Sequence, residues 1–121
     1  MGLGNLLQQL HLEIPGYQGA AAGSIEGGFF ESHSMGDVDP QDFKSTLVSV
    51  AKQYHNLYEE LGGPVDFGSN DEVLISASRG YVLVKMHHAS GRFMAVFLAS
   101  SGNIGYLRFR IRTYMRDVIS A

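Results

Sequence analysis

A chain of 121 residues with no cysteine and a formal net charge of −3 is the size of a single domain, residues 1–121, and has no disulfide or cysteine-ligated metal site. Twelve acidic against nine basic residues argue against nucleic acid as the partner. No run is long enough to span a membrane and the N-terminus has no basic-then-apolar leader, so a soluble, cytoplasmic protein is expected.

Leu3, Leu6, Leu7, Leu10 and Ile14 recur at helical spacing and predict a short first helix, ended by Pro15-Gly16. Tyr17 to Glu26 then reads as a strand of mostly small residues, Gly19, Ala20, Ala21, Ala22 and Gly23. Alanine and glycine are poor strand formers, so their use predicts a strand that a helix approaches closely. Gly27-Gly28 is a hairpin signal before a second strand, Phe29 to His33.

Asp39-Pro40 opens a long helix, with aspartate as cap, proline at the first helical position and Asp42 at the positive end of the dipole. Phe43, Leu47, Val50, Ala51, Tyr54, Leu57, Tyr58 and Leu61 follow at three-four spacing up to Gly62-Gly63-Pro64. That predicts about 22 residues, or roughly 33 Å. The apolar arc is broad and Val48 lies outside it, as in a helix that buries more than one face.

Glu72 to Ala77, Tyr81 to Met86 and Phe93 to Ala99 predict a meander, with turns at Arg79-Gly80 and Ser90-Gly91. Phe93-Met94-Ala95-Val96-Phe97-Leu98-Ala99 is apolar throughout, so this strand is covered on both faces and sits mid-sheet. A Gly102-Asn103 turn leads into a last helix whose buried stripe is Ile104, Leu107, Ile111, Tyr114, Met115 and Val118.

The chemistry-bearing residues form no catalytic motif. His87 and His88 are adjacent on a strand, point to opposite faces and cannot chelate together. His11, His33 and His55 are scattered, so the histidines are expected to be exposed or hydrogen-bonded rather than metal ligands. No phosphate-binding Gly-x-x-x-x-Gly-Lys-Ser/Thr, no Gly-x-Gly-x-x-Gly and no Gly-x-Ser-x-Gly elbow occurs. Glu59-Glu60 reads as a solvated pair. No cofactor is implied, and a non-enzymatic protein is expected.

Phe93 to Leu98 with Asn103-Ile104-Gly105-Tyr106-Leu107-Arg108 resembles the apolar strand, Asn-Leu-Gly-like turn and arginine-bearing closing helix of the roadblock family. This is the dynein light-chain roadblock type, found also among bacterial and archaeal partners of Ras-like small GTPases. Ile14-Pro15-Gly16-Tyr17-Gln18-Gly19-Ala20 is similar to the family's helix-to-strand passage, and Gly80-Tyr81-Val82-Leu83-Val84 to its fourth strand. The resemblance covers essentially the whole chain. It implies an α+β sandwich, α-β-β-α-β-β-β-α, roadblock/profilin-like. Its five-stranded antiparallel sheet would carry the first and third helices on one face and the second on the other.

The resemblance also implies a dimer in which the second helix and third strand meet their counterparts and two sheets join. The residues support this separately. Val73 to Ala77 begins the meander, has one sequential neighbour, and carries no proline and little charge. Such an edge invites pairing, most simply with itself across a two-fold axis. The expected seam is Val48, His55, Tyr58 and Glu59 of the long helix with Val73, Leu74, Ile75, Ser76 and Ala77 of the strand. The segments Gly63 to Asp71, containing Phe67, and Ser32 to Val38 depart from the family pattern and flank the second helix.

On the last helix, Phe109 falls about 140° from Ile104 at 100° per residue, beside Arg112 and Arg116. The first helix, alongside on the same sheet face, is expected to cover Phe109. The alternative is an exposed recognition patch of Phe109, Arg112 and Arg116 for a partner.

The leading functional expectation is a homodimeric regulator or scaffold that binds a Ras-like small GTPase and alters its nucleotide state, with no residue assigned as an inserted catalytic arginine. The alternative is a light-chain-like structural adaptor of a motor or signalling complex, indifferent to nucleotide. A third possibility, a small-ligand sensor between sheet and helices, is opposed by the dense apolar strands.

Overall fold

The computed structural model describes residues 3–63 and 71–120. Helix α1 (Leu3–Glu13) leads into β1 (Tyr17–Ser24) and β2 (Phe30–Ser34). A 3-10 turn (Pro40–Phe43) precedes α2 (Lys44–Glu60). The meander β3 (Glu72–Ala77), β4 (Gly80–His87) and β5 (Arg92–Ala99) then runs into α3 (Ile104–Ser120). The five strands form one sheet in the order β2-β1-β5-β4-β3, antiparallel throughout.

The all-apolar β5 is the middle strand, between β1 and β4. Its side chains alternate between two cores. Met94, Val96 and Leu98 join Leu6, Leu7, Leu10, Leu107, Ile111 and Val118 under α1 and α3. Phe93 and Ala95 join Leu47, Ala51, Tyr54, Val84 and Met86 under α2. The small residues of β1 serve both layers: Ala20 and Ala22 belong to the first cluster and Ala21 to the second, all fully buried. A Cβ on Gly19 would sit 3.0 Å from the ring of Pro40, so the helical approach expected over β1 occurs there.

The long second helix is shorter than its periodicity suggests. The Asp39 carboxylate accepts from the Gln41 N–H at 3.0 Å and caps the 3-10 turn, not the α-helix. Phe43, at φ −108° and ψ 15°, breaks the helical path. Its ring packs on Phe97, with centroids 5.9 Å apart. α2 proper is 17 residues, about 26 Å. Of the expected stripe only Leu47, Ala51 and Tyr54 are buried, and Phe43 and Leu57 stand nearly half exposed. Phe67 and Pro64 lie outside the described residues.

Two turns also differ from expectation. β1 stops at Ser24, and the Ile25 N–H bonds the Gly91 carbonyl at 2.8 Å one step beyond the Ser24–Arg92 pair, where Gly91, at φ 70°, is already turning. The β3–β4 turn is Ser78-Arg79, and Gly80 is already paired with Ala77 and Ala99. Glycine is required at position 80 by close approach, since a Cβ there would stand 2.0 Å from the Leu98 carbonyl oxygen.

Helix α3 is fixed at both ends. The Asn103 side-chain oxygen accepts from the Tyr106 N–H at 2.9 Å, an N-cap. At the other end Arg92 donates to the carbonyls of Val118 and Ile119, at 3.1 and 3.2 Å. A cation there meets the negative end of the helix dipole.

Candidate interaction surfaces

The sheet has two margins, where the sequence suggested one bare edge. One is β2, which pairs only with β1, and the other is β3, which pairs only with β4. Along β3, Val73, Ile75 and Ala77 share the α2 face with Val84, Val82 and Gly80, their partners across the ladder. Val73 packs against the second core. Leu74 and Ile75 are exposed, Ile75 at 39%.

The α2 residues expected at the seam are divided by the helix itself. Lys44, Val48, His55 and Glu59 recur at intervals that place them on one flank. That flank faces away from β3: the Lys44 ammonium lies over the Phe30 ring of β2, 5.8 Å from its centroid. Val48 packs against the second core. The flank facing β3 carries Val50 and Leu57, spaced by seven residues, with Phe43 of the preceding 3-10 turn at its N-terminal end. Phe43 lines a groove of about 270 Å³ with Val38, Ala77, Val82, Phe97 and Arg79, which lies at the N-terminal end of α2 and opens beside the tip of the β3–β4 hairpin. Phe43, Leu57, Leu74 and Ile75 are half of the large hydrophobic residues that the described chain leaves exposed. The sequence offered a signal for this flank in the seven-residue repeat of Val50 and Leu57.

The histidines are not scattered in space. His55 Nδ1 and His88 Nδ1 are 2.9 Å apart, and His55 Nε2 is 2.8 Å from the Glu59 carboxylate. Tyr58 stacks flat on His88, centroids 3.6 Å apart and planes at 6°. Tyr58, expected at the seam, is thus engaged in holding α2 to the β4–β5 turn. His87, the last residue of β4, meets Ser90 Oγ at 2.7 Å, and His88 stands in the turn beyond it, where a second strand position was expected. At the other end of the sheet the Tyr17 hydroxyl meets His33 Nδ1 at 2.7 Å, with the His11 ring 5.9 Å from that of Tyr17. Burial holds the His33 imidazole below its usual pKa, helped by His11, and raises that of the Tyr17 phenol. Among the described residues no group of three or more His, Asp or Glu could hold a metal ion.

The α1–α3 layer carries the second surface. Glu13 of α1 holds Arg110 of α3 with a carboxylate oxygen 2.8 Å from Nη2 and 3.1 Å from Nε. Arg108 holds Glu72 of β3, at 2.7 Å. These two pairs tie α3 to its neighbours on either side. The Tyr114 hydroxyl lies beside Glu13 but outside hydrogen-bond geometry among the described residues. That phenol and Arg110 hold the Glu13 carboxyl below its usual value, and burial raises the Tyr114 phenol to about 12.

The first helix does not cover Phe109. Phe109 is 71% exposed and points outward, opposite the buried stripe, with Arg112 and Arg116 also exposed. The two helices touch through Glu13 and Arg110, one position along from Leu12 and Phe109, which leaves both apolar side chains on the outer crests. Leu12, which falls between the buried positions of α1, is 81% exposed. Its place off the first helix's apolar spacing was the sequence signal for it.

No protein-family model and no curated protein matches the chain. Solved structures do. The Roadblock/LC7 domain from Streptomyces avermitilis is 17% identical, with 99% of this chain and 93% of that chain covered at a TM-score of 0.68. MglB from Myxococcus xanthus is 10% identical, with 98% and 92% covered at 0.78. The chain has the roadblock/LC7 fold. MglC from Myxococcus xanthus shares it as well, 13% identical, with 96% and 95% covered at 0.65. In this roadblock/LC7 fold the α2–β3 margin and the α1–α3 layer are opposite kinds of surface: one apolar and grooved, the other convex and basic. No described helix is long and apolar enough to cross a membrane.

Proposed function

We propose that this chain is a non-enzymatic, cytoplasmic dimerisation module, residues 1–121 acting as one domain, that binds a Ras-like small GTPase and biases its nucleotide state. The observation that carries the dimer is the apolar margin: Leu74 and Ile75 on an unpaired strand edge, beside Phe43 of the 3-10 turn and Leu57 on the flank of α2 that faces the same way. An edge strand with no charge at its centre and an apolar helix flank beside it is the arrangement that pairing with a second copy buries. The proposed seam therefore keeps Val73 to Ala77 and takes Phe43 of the 3-10 turn with Val50 and Leu57 of α2 in place of Val48, His55 and Glu59.

The GTPase partner follows from the family resemblance and from the likeness to MglB and MglC. Its mechanism is conformational: a rigid composite surface that binds one switch state more tightly than the other shifts the nucleotide cycle by that difference in affinity. The chain should be a dimer by light scattering and should be retained by a small GTPase of the same organism loaded with a GTP analogue. A dimer that no such GTPase retains in either nucleotide state supports the adaptor instead, and a monomer refutes both.

A further inference from the structure

The two crests of the α1–α3 layer suggest what that layer meets. From α1 the outward positions are Asn5, Gln8, Gln9 and Leu12, and from α3 they are Tyr106, Phe109, Arg112 and Arg116, all exposed. The acids of these helices, Glu13 and Asp117, lie roughly 80° or more from the outward direction at 100° per residue. The crest around Leu12 and Phe109 is therefore neutral or cationic, with the exposed Asp117 at its border, about 20° from Tyr106. Arg112 and Arg116 make no ion pair or side-chain hydrogen bond among the described residues. The asymmetry is molecular in scale: the two helices hold four of the nine bases against two of the twelve acids, in a protein of net charge −3.

We propose that the α1–α3 face is a peripheral docking surface for an anionic lipid bilayer, with Leu12 and Phe109 entering the headgroup region and Arg112 and Arg116 meeting lipid phosphates and carboxylates. A bilayer is flat, deformable and uniformly negative, so it accepts a convex face bearing two apolar side chains without a matching pocket. A protein partner would have to supply two separate pockets in an acidic surface.

Strength in this proposal rests on the two-fold seam proposed above. An antiparallel β3–β3 junction has its axis perpendicular to the sheet, so both α1–α3 layers fall on the same side. Four apolar side chains and four unpaired arginines then address one membrane, and the second layer binds at the high effective concentration set by the first.

Vesicles of phosphatidylcholine alone and of equimolar phosphatidylcholine and phosphatidylserine, in a flotation assay at low and high salt, test the idea. The chain should float with the anionic vesicles, be released by salt, and ignore the neutral ones. Arg112→Glu with Arg116→Glu should weaken binding by about thirtyfold or more, at roughly fivefold per arginine near an anionic surface. Leu12→Ser with Phe109→Ser should weaken it even at low salt. The chain has no tryptophan, so Phe109→Trp supplies a probe whose emission should shift to the blue only with anionic vesicles. No flotation with either vesicle, or flotation unaffected by both double variants, overturns the proposal. Equal retention by soluble polyglutamate, with no blue shift, assigns the face to an acidic protein instead and also overturns it. Light scattering on the same samples reads the dimer separately: a monomer that still floats, more weakly, leaves this face intact and removes only the seam.

Discussion

Ile75→Lys is the sharpest perturbation of the proposed seam. Ile75 sits mid-strand on the β3 edge and is 39% exposed in the isolated protomer, so a lysine there can reach water without entering the core. In the dimer the same position would be buried twice over. Pairing removes the remaining exposed part of the isoleucine side chain, about 70 Å² and so about 1.8 kcal/mol for each copy at 25 cal/mol per Å². Two lysines facing across the axis at about 8 Å repel by about 2 kcal/mol at an effective dielectric constant near 20. The sum, about 5.5 kcal/mol, raises the dimer Kd by about four decades, at roughly 1.4 kcal/mol per decade. Sedimentation or light scattering over a dilution series should show a monomer where the parent chain is a dimer. The thermal transition of the monomer should keep its cooperativity. Glu59→Gln, on the opposite flank of α2, should leave the mass unchanged. A dimer of unaltered Kd in Ile75→Lys would remove β3 from the interface.

Val96→Asp places a carboxylate at a position with no exposure, on the middle strand; a loss of more than about 4 kcal/mol should abolish the cooperative urea transition, and a soluble variant with a parental transition would refute the assignment of β5 as the buried centre. Gly80→Ala forces a Cβ to 2.0 Å from the Leu98 carbonyl oxygen, so strand displacement should cost about 1–3 kcal/mol. Gly4→Ala, where nothing lies within 4 Å, should gain about 0.5 kcal/mol from helix propensity, and equal midpoints for the two variants in urea would contradict the close approach at Gly80. The Glu13 carboxyl is lowered in the folded chain by Tyr114 and Arg110. Its contribution is therefore complete above the ordinary carboxylate range and is lost as pH falls through the lowered folded value. Glu13→Gln should lower stability at neutral pH, converge with the parent at low pH and so flatten the acid limb of the profile, and an unaltered profile would show that the α1–α3 clasp does not contribute.

Periodicity and composition alone determined the order of helices and strands, the central place of the Phe93–Ala99 strand and the close packing over Ala20 to Ala22. Each follows from local rules: an apolar run needs cover on both faces, and residues without bulk allow close approach. The amphipathic stripe also showed that α2 is packed against a sheet. It could not show which flank of α2 faces which margin, because a stripe gives direction only relative to the helix axis. Lys44 over Phe30 and Phe43 over Phe97 settled that, and they moved Val48, His55 and Glu59 away from β3. Likewise the spacing of Phe109 marked it as off the buried stripe but not whether a neighbouring helix would cover it. That depended on the Glu13–Arg110 contact, 97 residues apart in the chain, which brings α1 against the side of α3 and leaves its crest bare. Pairing of His55 with His88 was equally hidden, since adjacency across a turn and a helix is a property of packing. What the sequence encodes locally is the burial each residue needs; which neighbour meets that need is decided when the layers close.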